Sequence, residues 1–382
     1  MKICIFSLYK SENLGEMVYT ECLKKMLEQN IPGVDVQLVD IHGRDATQHR
    51  PNGIILRGLK KLGASSLEKK LRFAKENDFL RNYYSERVRG AKAVIIPGGG
   101  YIKCTPKSAN DRSYRYNEYF AIMADVCEEN NIGLYYNAVG HTINRNEENE
   151  IKAWKKTFSM PAVQYVSCRD ELDFFKKVYK DTRLVCCTAA YSATLYGFER
   201  DKHSNTIGIG VIRQDAFEDY GYKVSREDLI RFYIDLIHEL EDRGHCVKLF
   251  TNGLTRDYEF GRTIAEKYGN RDLLVNRPVT VEELLGTISS FKGVIVSRMH
   301  AAIIAYSFDI PAVCLCWNNK HLGFMRSAGV PERAIYPENF KALQVADIME
   351  SALLTGWPEE QKETYRTTAL SSVDEIIARI RA

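Results

Sequence analysis

Residues 294–320, VIVSRMHAAIIAYSFDIPAVCLCWNNK, hold an apolar strand that ends in Ser297-Arg298-Met299-His300, a helix that opens at once, and a second strand leading out to Lys320. Strand, helix and strand in direct succession is the unit of an α/β fold with a parallel sheet. A guanidinium and an imidazole at such a strand end lie beside helix N-terminal amides. A phosphate or carboxylate there is attracted by both the arginine fork and the helix dipole. Arg298 and His300 therefore read as an anion site with an acid attached; the alternative pairs Arg298 with a carboxylate of another domain and leaves His300 capping its own helix.

The same alternation extends outward in both directions. Upstream, the β-branched runs 2–8, 34–41, 92–97, 132–138, 163–168 and 183–187 read as strands, with helices such as 15–29, 115–130 and 170–180 between them. The rhythm restarts after residues 197–205, where TIGIGVI, CVKLF, GVIVS and AVCLC alternate with helices near 225–243, 255–268, 281–290 and 299–307. The expected architecture is thus α/β, two Rossmann-like doubly wound domains facing across a cleft, over residues 1–198 and 199–356. An amphipathic helix within 357–382 follows Trp357-Pro358 and is expected to pack back on the first domain. Ligands of open parallel sheets bind beyond the carboxyl ends of the strands, so the chemistry belongs to the loops that follow them.

Composition narrows the function classes. With 53 basic and 50 acidic residues among 382, the net charge of +3 carries no overall field of the kind that marks general nucleic-acid binders. No segment holds the ~18 uninterrupted apolar residues of a membrane span, and MKICIFSLYKSENLGE reads as a first strand rather than a signal peptide. A cytoplasmic protein is expected. The basic stretch Arg57–Arg72 reads either as a solvated helix face or as a peripheral contact with an anionic lipid-linked glycan at the inner face of the membrane. The ten cysteines show no C-x-x-C spacing, and those in apolar runs, Cys4, Cys168, Cys186 and Cys246 among them, are expected to be buried free thiols. No metal-ligand cluster stands out.

Other strand ends supply the remaining candidates. Arg213 ends IGIGVIRQ and Asn252 ends the next strand, both expected to face the cleft of Arg298, with a salt bridge from Arg213 to Asp215 or Asp219 as the competing reading. Gly98, Gly99 and Gly100 follow AVIIP and form a backbone without Cβ atoms that a ligand can approach, or else a tight turn. His141, after YYNAVG, is placed either to bond a sugar hydroxyl or at the bare surface. Arg169 and Asp170 read as a helix cap with an interdomain ion pair. In the loop 101–114 and just beyond it, Tyr101, Lys103, Arg112, Tyr114, Arg115 and Tyr116 suit either a sugar platform or a lid.

Taken together, Ser297 to His300, the strand motif Ile310 to Val313, Lys320, and Gly323 to Gly329 resemble the polysaccharide pyruvyl transferase family. Asn13-Leu14-Gly15-Glu16, Pro97 to Gly100 and Ser167 to Asp170 follow collinearly in the N-terminal half. Two positions depart from the family pattern: Glu16 stands where Asp is usual, and Thr188-Ala189-Ala190 where an Asp-Pro-Ala turn is usual. The resemblance implies a GT-B-like fold and an enzyme that transfers the pyruvyl group of phosphoenolpyruvate to sugar hydroxyls of a polysaccharide or lipid-linked glycan as a ketal. It further implies a donor side built on Arg213, Asn252, Ser297, Arg298 and Lys320, with His300 and Arg298 catalytic, and an acceptor side or cleft wall of Asn13, Gly15, Glu16, Gly98, Gly99, Gly100 and His141. Phosphoenolpyruvate is then a co-substrate, with no cofactor and no metal.

Two other functions compete. A GT-B-type glycosyltransferase using a nucleotide sugar would grip ribose with an acid late in the second domain, and Glu282, Glu283 and Glu332 sit in no clear nucleotide motif. A catalytically inactive glycan-binding relative would keep the fold alone, against which stand Arg298, His300 and Lys320. A Rossmann dehydrogenase is disfavoured, since Ser11 to Gly15 after the first strand is no G-x-G-x-x-G.

Overall fold

The computed structural model describes residues 1–46, 65–102, 115–141 and 147–382. Residues 57–64 of the basic stretch, Lys103, Cys104, Arg112 and Tyr114 lie outside them. The first sheet takes six parallel strands, β1 (Lys2–Ser7), β2 (Asp35–Asp40), β3 (Ala91–Pro97), β4 (Gly133–Val139), β5 (Val163–Cys168) and the short β6 (Arg183–Leu184), in the order β2-β1-β3-β4-β5-β6. Five more, β7 (Thr206–Gly210), β8 (Cys246–Phe250), β9 (Gly293–Val296), β10 (Ala312–Leu315) and β11 (Ala334–Ile335), form a second parallel sheet in the order β11-β10-β9-β7-β8. Central strands such as β9 and β10 are buried along their whole length, because helices cover both faces of a parallel sheet and leave no side for polar alternation.

Each sheet reverses direction of strand addition once, between β1 and β3 in the first and between β7 and β9 in the second. At such a reversal the loops leaving neighbouring strands diverge to opposite faces and open a crevice. The loops that carry Asn13 and Gly98–Gly100 leave the first crevice, and those that carry Arg213 and Ser297–His300 leave the second.

The domains meet through apolar packing. One hydrophobic cluster runs from Ile3, Val18 and Leu23 of the first domain to Leu284, Ile303 and Cys314 of the second, and on to Val373 and Ile376 of the last helix. That helix, Glu359–Arg381, ties to the first sheet: Ser372 donates to Asn137 Oδ1 at 2.6 Å and lies 3.0 Å from the Tyr165 hydroxyl. Thr188-Ala189-Ala190 forms a buried 3₁₀ turn at the junction, where the Thr188 hydroxyl donates to the Tyr19 carbonyl at 2.8 Å. Among the described cysteines none is paired and all but Cys246 are buried. Cys246 is exposed, contrary to its reading as a buried thiol, because it opens β8 at the sheet's edge. No described helix is long and apolar enough to cross a membrane.

Candidate active site

A pocket of about 260 Å³ lies where the two crevices face each other. Asn13, Glu16, Gly99, Gly100, Tyr101 and Arg169 line it from the first domain, and Asn252, Arg298, His300, Trp317, Asn318 and Lys320 from the second. Arg298 is the N-cap of the Met299–Ser307 helix and supplies no side-chain cap, so the first amide groups of that helix keep their donor capacity at the pocket wall. Its guanidinium bonds instead to Asp257 Oδ2, at 2.9 Å from Nε and 2.6 Å from Nη2. Asp257 belongs to the same domain, in the first turn of the Thr255–Tyr268 helix. The pairing with a carboxylate across the cleft is therefore not the one formed.

His300 meets the other domain. Its Nε2 accepts from Arg169 Nη1 at 2.9 Å, and since a guanidinium only donates, the imidazole proton sits on Nδ1. Burial, then the charges of Arg169, Lys320, His321 and Arg298, hold the imidazole well below its usual pKa, so it is neutral. Gly15 explains how it fits: a Cβ at that position would stand 2.6 Å from His300 Cβ, so only glycine lets the helix that opens at Leu14 approach so near. Gly99, at φ +84°, needs glycine for its backbone, and any Cβ there would strike the Tyr101 ring.

Glu16 lies on the opposite electrostatic footing. Desolvation raises its carboxyl above the usual range, while hydrogen bonds from Ser11 and Asn13 and the charges of Arg298 and Arg44 only partly offset that. One pocket thus holds a carboxyl that keeps its proton to higher pH and an imidazole that loses its proton at lower pH. Environments that push two titratable groups in opposite directions are the usual mark of an acid and a base.

Two pocket residues also carry buried polar atoms with no hydrogen-bond partner among the described residues: Asn13 Oδ1 and Asn252 Nδ2. Buried polar atoms are nearly always satisfied, so an acceptor and a donor left open in one cavity are spare capacity for a ligand.

The remaining candidates fall into two groups. Ser297 is fully buried behind the wall, where its carbonyl accepts from Trp317 Nε1 at 2.5 Å and His321 Nε2 at 3.0 Å, and Gly98 packs against the Tyr19 ring. Lys320, Asn252, Gly99 and Gly100 line the pocket directly. Arg213 does not: it turns away to Asp257 and to Asp215, 3.1 and 2.8 Å off, on the far side of the carboxylate that holds Arg298. His141 is neither in the pocket nor at the surface. It is buried, stacked on Phe174 at 3.8 Å, with Glu150 3.4 Å away.

Arg169 is the residue whose reading changes most: it keeps an ion pair with Asp170 at 3.7 Å but also forms a wall of the pocket in contact with His300, while Asp170 accepts from the His141 amide at 2.6 Å. Tyr101 and Tyr116 line the cavity, whereas Arg115 is locked in ion pairs with Glu76 and Glu118. Asn318, Tyr220, Trp317 and His321 were not singled out. Asn318 had a signal, since an Asn directly after a strand is a natural helix N-cap, and its side chain accepts from the Lys320 amide.

A family model for polysaccharide pyruvyl transferase matches residues 13–319. The chain belongs to that family. No curated protein matches it in sequence. Among solved structures it is similar to UDP-GlcNAc 2-epimerase of Methanocaldococcus jannaschii in complex with UDP-GlcNAc and UDP, at 12% identity and TM-score 0.54 over 100% of this chain and 99% of that one. A putative UDP-N-acetylglucosamine 2-epimerase from Listeria monocytogenes aligns at 10% identity and TM-score 0.57, covering 100% and 96%. That of Neisseria meningitidis bound to UDP-GlcNAc does so at 9% and 0.53, covering 99% of each chain. At these identities the likeness is one of fold, and the fold is GT-B.

The two histidines buried at the pocket, His300 and His321, set a pH dependence for this pyruvyl transferase family member. His321 is pushed down to about 4 by burial, and His300 is also depressed. In the unfolded chain both take protons near pH 6.5. As pH falls below that value the unfolded state binds protons that the folded state refuses, so stability is full above pH 6.5 and lost below it. Urea unfolding at pH 7.5 and pH 5 should show that His321→Gln removes about 2 kcal/mol of the acid-induced loss. An equal loss in both proteins would contradict it.

Proposed function

We propose that this protein transfers the pyruvyl group of phosphoenolpyruvate to two hydroxyls of a sugar, forming a ketal and releasing inorganic phosphate. The observation that carries the reading is the convergence of Arg169, Arg298 and Lys320 on one small pocket that also holds Glu16 and His300. Phosphoenolpyruvate bears a phosphate and a carboxylate on a three-carbon frame. A ligand so small and so anionic needs several fixed cations close together, and arginine forks match both of its anionic groups.

The chemistry needs four proton transfers, two through Glu16 and two through His300. In the first half, protonated Glu16 gives its proton to the methylene carbon of the donor, C2 becomes electrophilic, and the first sugar hydroxyl attacks it while neutral His300 takes the hydroxyl proton on Nε2, which Arg169 vacates as its guanidinium turns to the donor's anionic groups. In the second half, His300 returns that proton to the departing phosphate oxygen. The second hydroxyl then closes on C2 as the Glu16 carboxylate takes its proton, which restores both groups. The products are the pyruvyl ketal, with its new methyl group, and hydrogen phosphate. Binding a trianion beside Arg169, Arg298 and Lys320 offsets the charges that depress His300, so the imidazole becomes able to hold a proton when the reaction requires it.

No cofactor enters this scheme, and the acceptor is a sugar of a polysaccharide or lipid-linked glycan. Calorimetric titration with phosphoenolpyruvate and with UDP-GlcNAc, followed by phosphate release over a panel of glycan acceptors, tests it. Phosphoenolpyruvate should bind and acceptor-dependent phosphate should appear. Binding of the nucleotide sugar without binding of phosphoenolpyruvate would favour a glycosyltransferase and overturn the reading.

A further inference from the structure

A second basic pocket lies next to the first. It measures about 530 Å³ and is lined by Arg213, Arg226, Arg256 and Arg262, with Asp215 and Glu259 among them. All belong to the second domain, on the loop after β7 and on the helices Arg226–Asp242 and Thr255–Tyr268. One carboxylate links an arginine of each cavity. Asp257, fully buried, accepts from Arg213 through Oδ1 and from Arg298 through Oδ2, so the two cavities are joined by the chain Arg213, Asp257 and Arg298.

The guanidiniums are held in place by the protein. Asp215 bridges Arg213 and Arg256. Arg226 donates to the Thr263 hydroxyl at 3.2 Å and lies over the Phe260 ring at 5.5 Å. Neither Arg226 nor Arg262 has a carboxylate partner among the described residues, and Arg213 Nε, though 2.8 Å from Asp215, makes no aligned hydrogen bond. Arg226 is moreover the first residue of its helix, where the helix's own partial positive charge disfavours a cation. Four guanidiniums, one of them at a helix start, stand against the three carboxylates of Asp215, Glu259 and Asp257, a local excess of positive charge that an anion would neutralise.

Size gives that anion a source. The first pocket, at about 260 Å³, has room for a three-carbon donor and little beyond the sugar ring being modified, so the rest of a glycan acceptor must leave it. We propose that the arginine pocket is an acceptor subsite that holds an oxyanion, a phosphate or a sugar carboxylate, borne by the glycan next to the residue that receives the ketal. The proposal rests on the pyruvyl-transfer reading.

Calorimetry on protein saturated with phosphoenolpyruvate, titrated with inorganic pyrophosphate and separately with glucuronate, tests it on wild type and on the double variant Arg226→Ala, Arg262→Ala. At least one anion should bind alongside phosphoenolpyruvate, and the double variant should weaken it tenfold or more while its phosphoenolpyruvate isotherm stays unchanged, which also shows that the variant is folded. Preference for pyrophosphate assigns the pocket to a phosphate-linked acceptor, and preference for glucuronate to an acidic sugar. Binding of neither anion with the donor in place, or equal binding by variant and wild type, overturns the proposal. Failure of phosphoenolpyruvate itself to bind wild type would instead sink the donor reading. The same anion titration on donor-free protein then judges the arginine pocket on its own.

Discussion

Replacing Glu16 by Gln, or His300 by Gln, is expected to lower acceptor-dependent phosphate release by about 10²- to 10⁴-fold, the range that general acid–base groups contribute. Both substitutions keep the shape of the pocket, so phosphoenolpyruvate should still bind with an affinity close to that of wild type. The pH profile separates the two roles. His300 must be neutral to take the first hydroxyl proton, so activity falls at low pH, and that acidic limb should vanish in His300→Gln. Glu16 must be protonated to begin, so activity falls at high pH, and the alkaline limb should vanish in Glu16→Gln. Because each group completes the other's half-reaction, the double variant should be barely slower than either single one. Additive losses, or limbs that stay in place, would leave Glu16 and His300 as positioning residues only.

This pairing also gives the Glu16 departure a physical reading. A glutamate carries one methylene more than the usual aspartate, and the carboxyl is held by Ser11 and Asn13 at the pocket edge, where desolvation outweighs the pull of Arg298 and Arg44. The departure changes reach, not chemistry.

How far the sequence exposes this arrangement varies by residue. Parallel strands are plain because burial on both faces writes continuous β-branched runs, and the strand ends then mark which loops reach the cleft. Arg298, His300, Lys320 and Asn252 were found by that rule. Arg213 obeys the same rule and still misses the cavity, because strand position fixes where a side chain starts and not which carboxylate it turns to. Asp257, which decides that competition, sits in an ordinary amphipathic helix and gives no local sign. Arg169 was hidden because adjacent opposite charges that open a helix read as a cap with an interdomain ion pair. In the structure Asp170 accepts from the His141 amide and lies 3.7 Å from Arg169 Nε, while Arg169 Nη1 crosses to His300 of the other domain. Such long-range competition among charges is absent from any local pattern.

Asp257 is accordingly the position where a single substitution should cost the most stability. Its carboxylate is fully buried and splits between two guanidiniums, those of Arg213 at 3.1 Å and Arg298 at 2.6 Å, which are themselves only 24% and 15% exposed. Asp257→Ala leaves both cations without that charge, and Arg298 without any carboxylate partner among the described residues. Removing one member of a buried charge network costs about 3–5 kcal/mol, far more than the pair is worth against an apolar replacement. Urea unfolding should register that loss. The same variant frees Arg298 from its Oδ2 anchor, so the affinity for phosphoenolpyruvate should drop as well, and it should drop less in Asp257→Asn, whose amide oxygen can still accept from one guanidinium. If Asp257→Ala unfolds like wild type, Arg213 and Arg298 are screened by water at this carboxylate, and the two cavities are not coupled through Asp257.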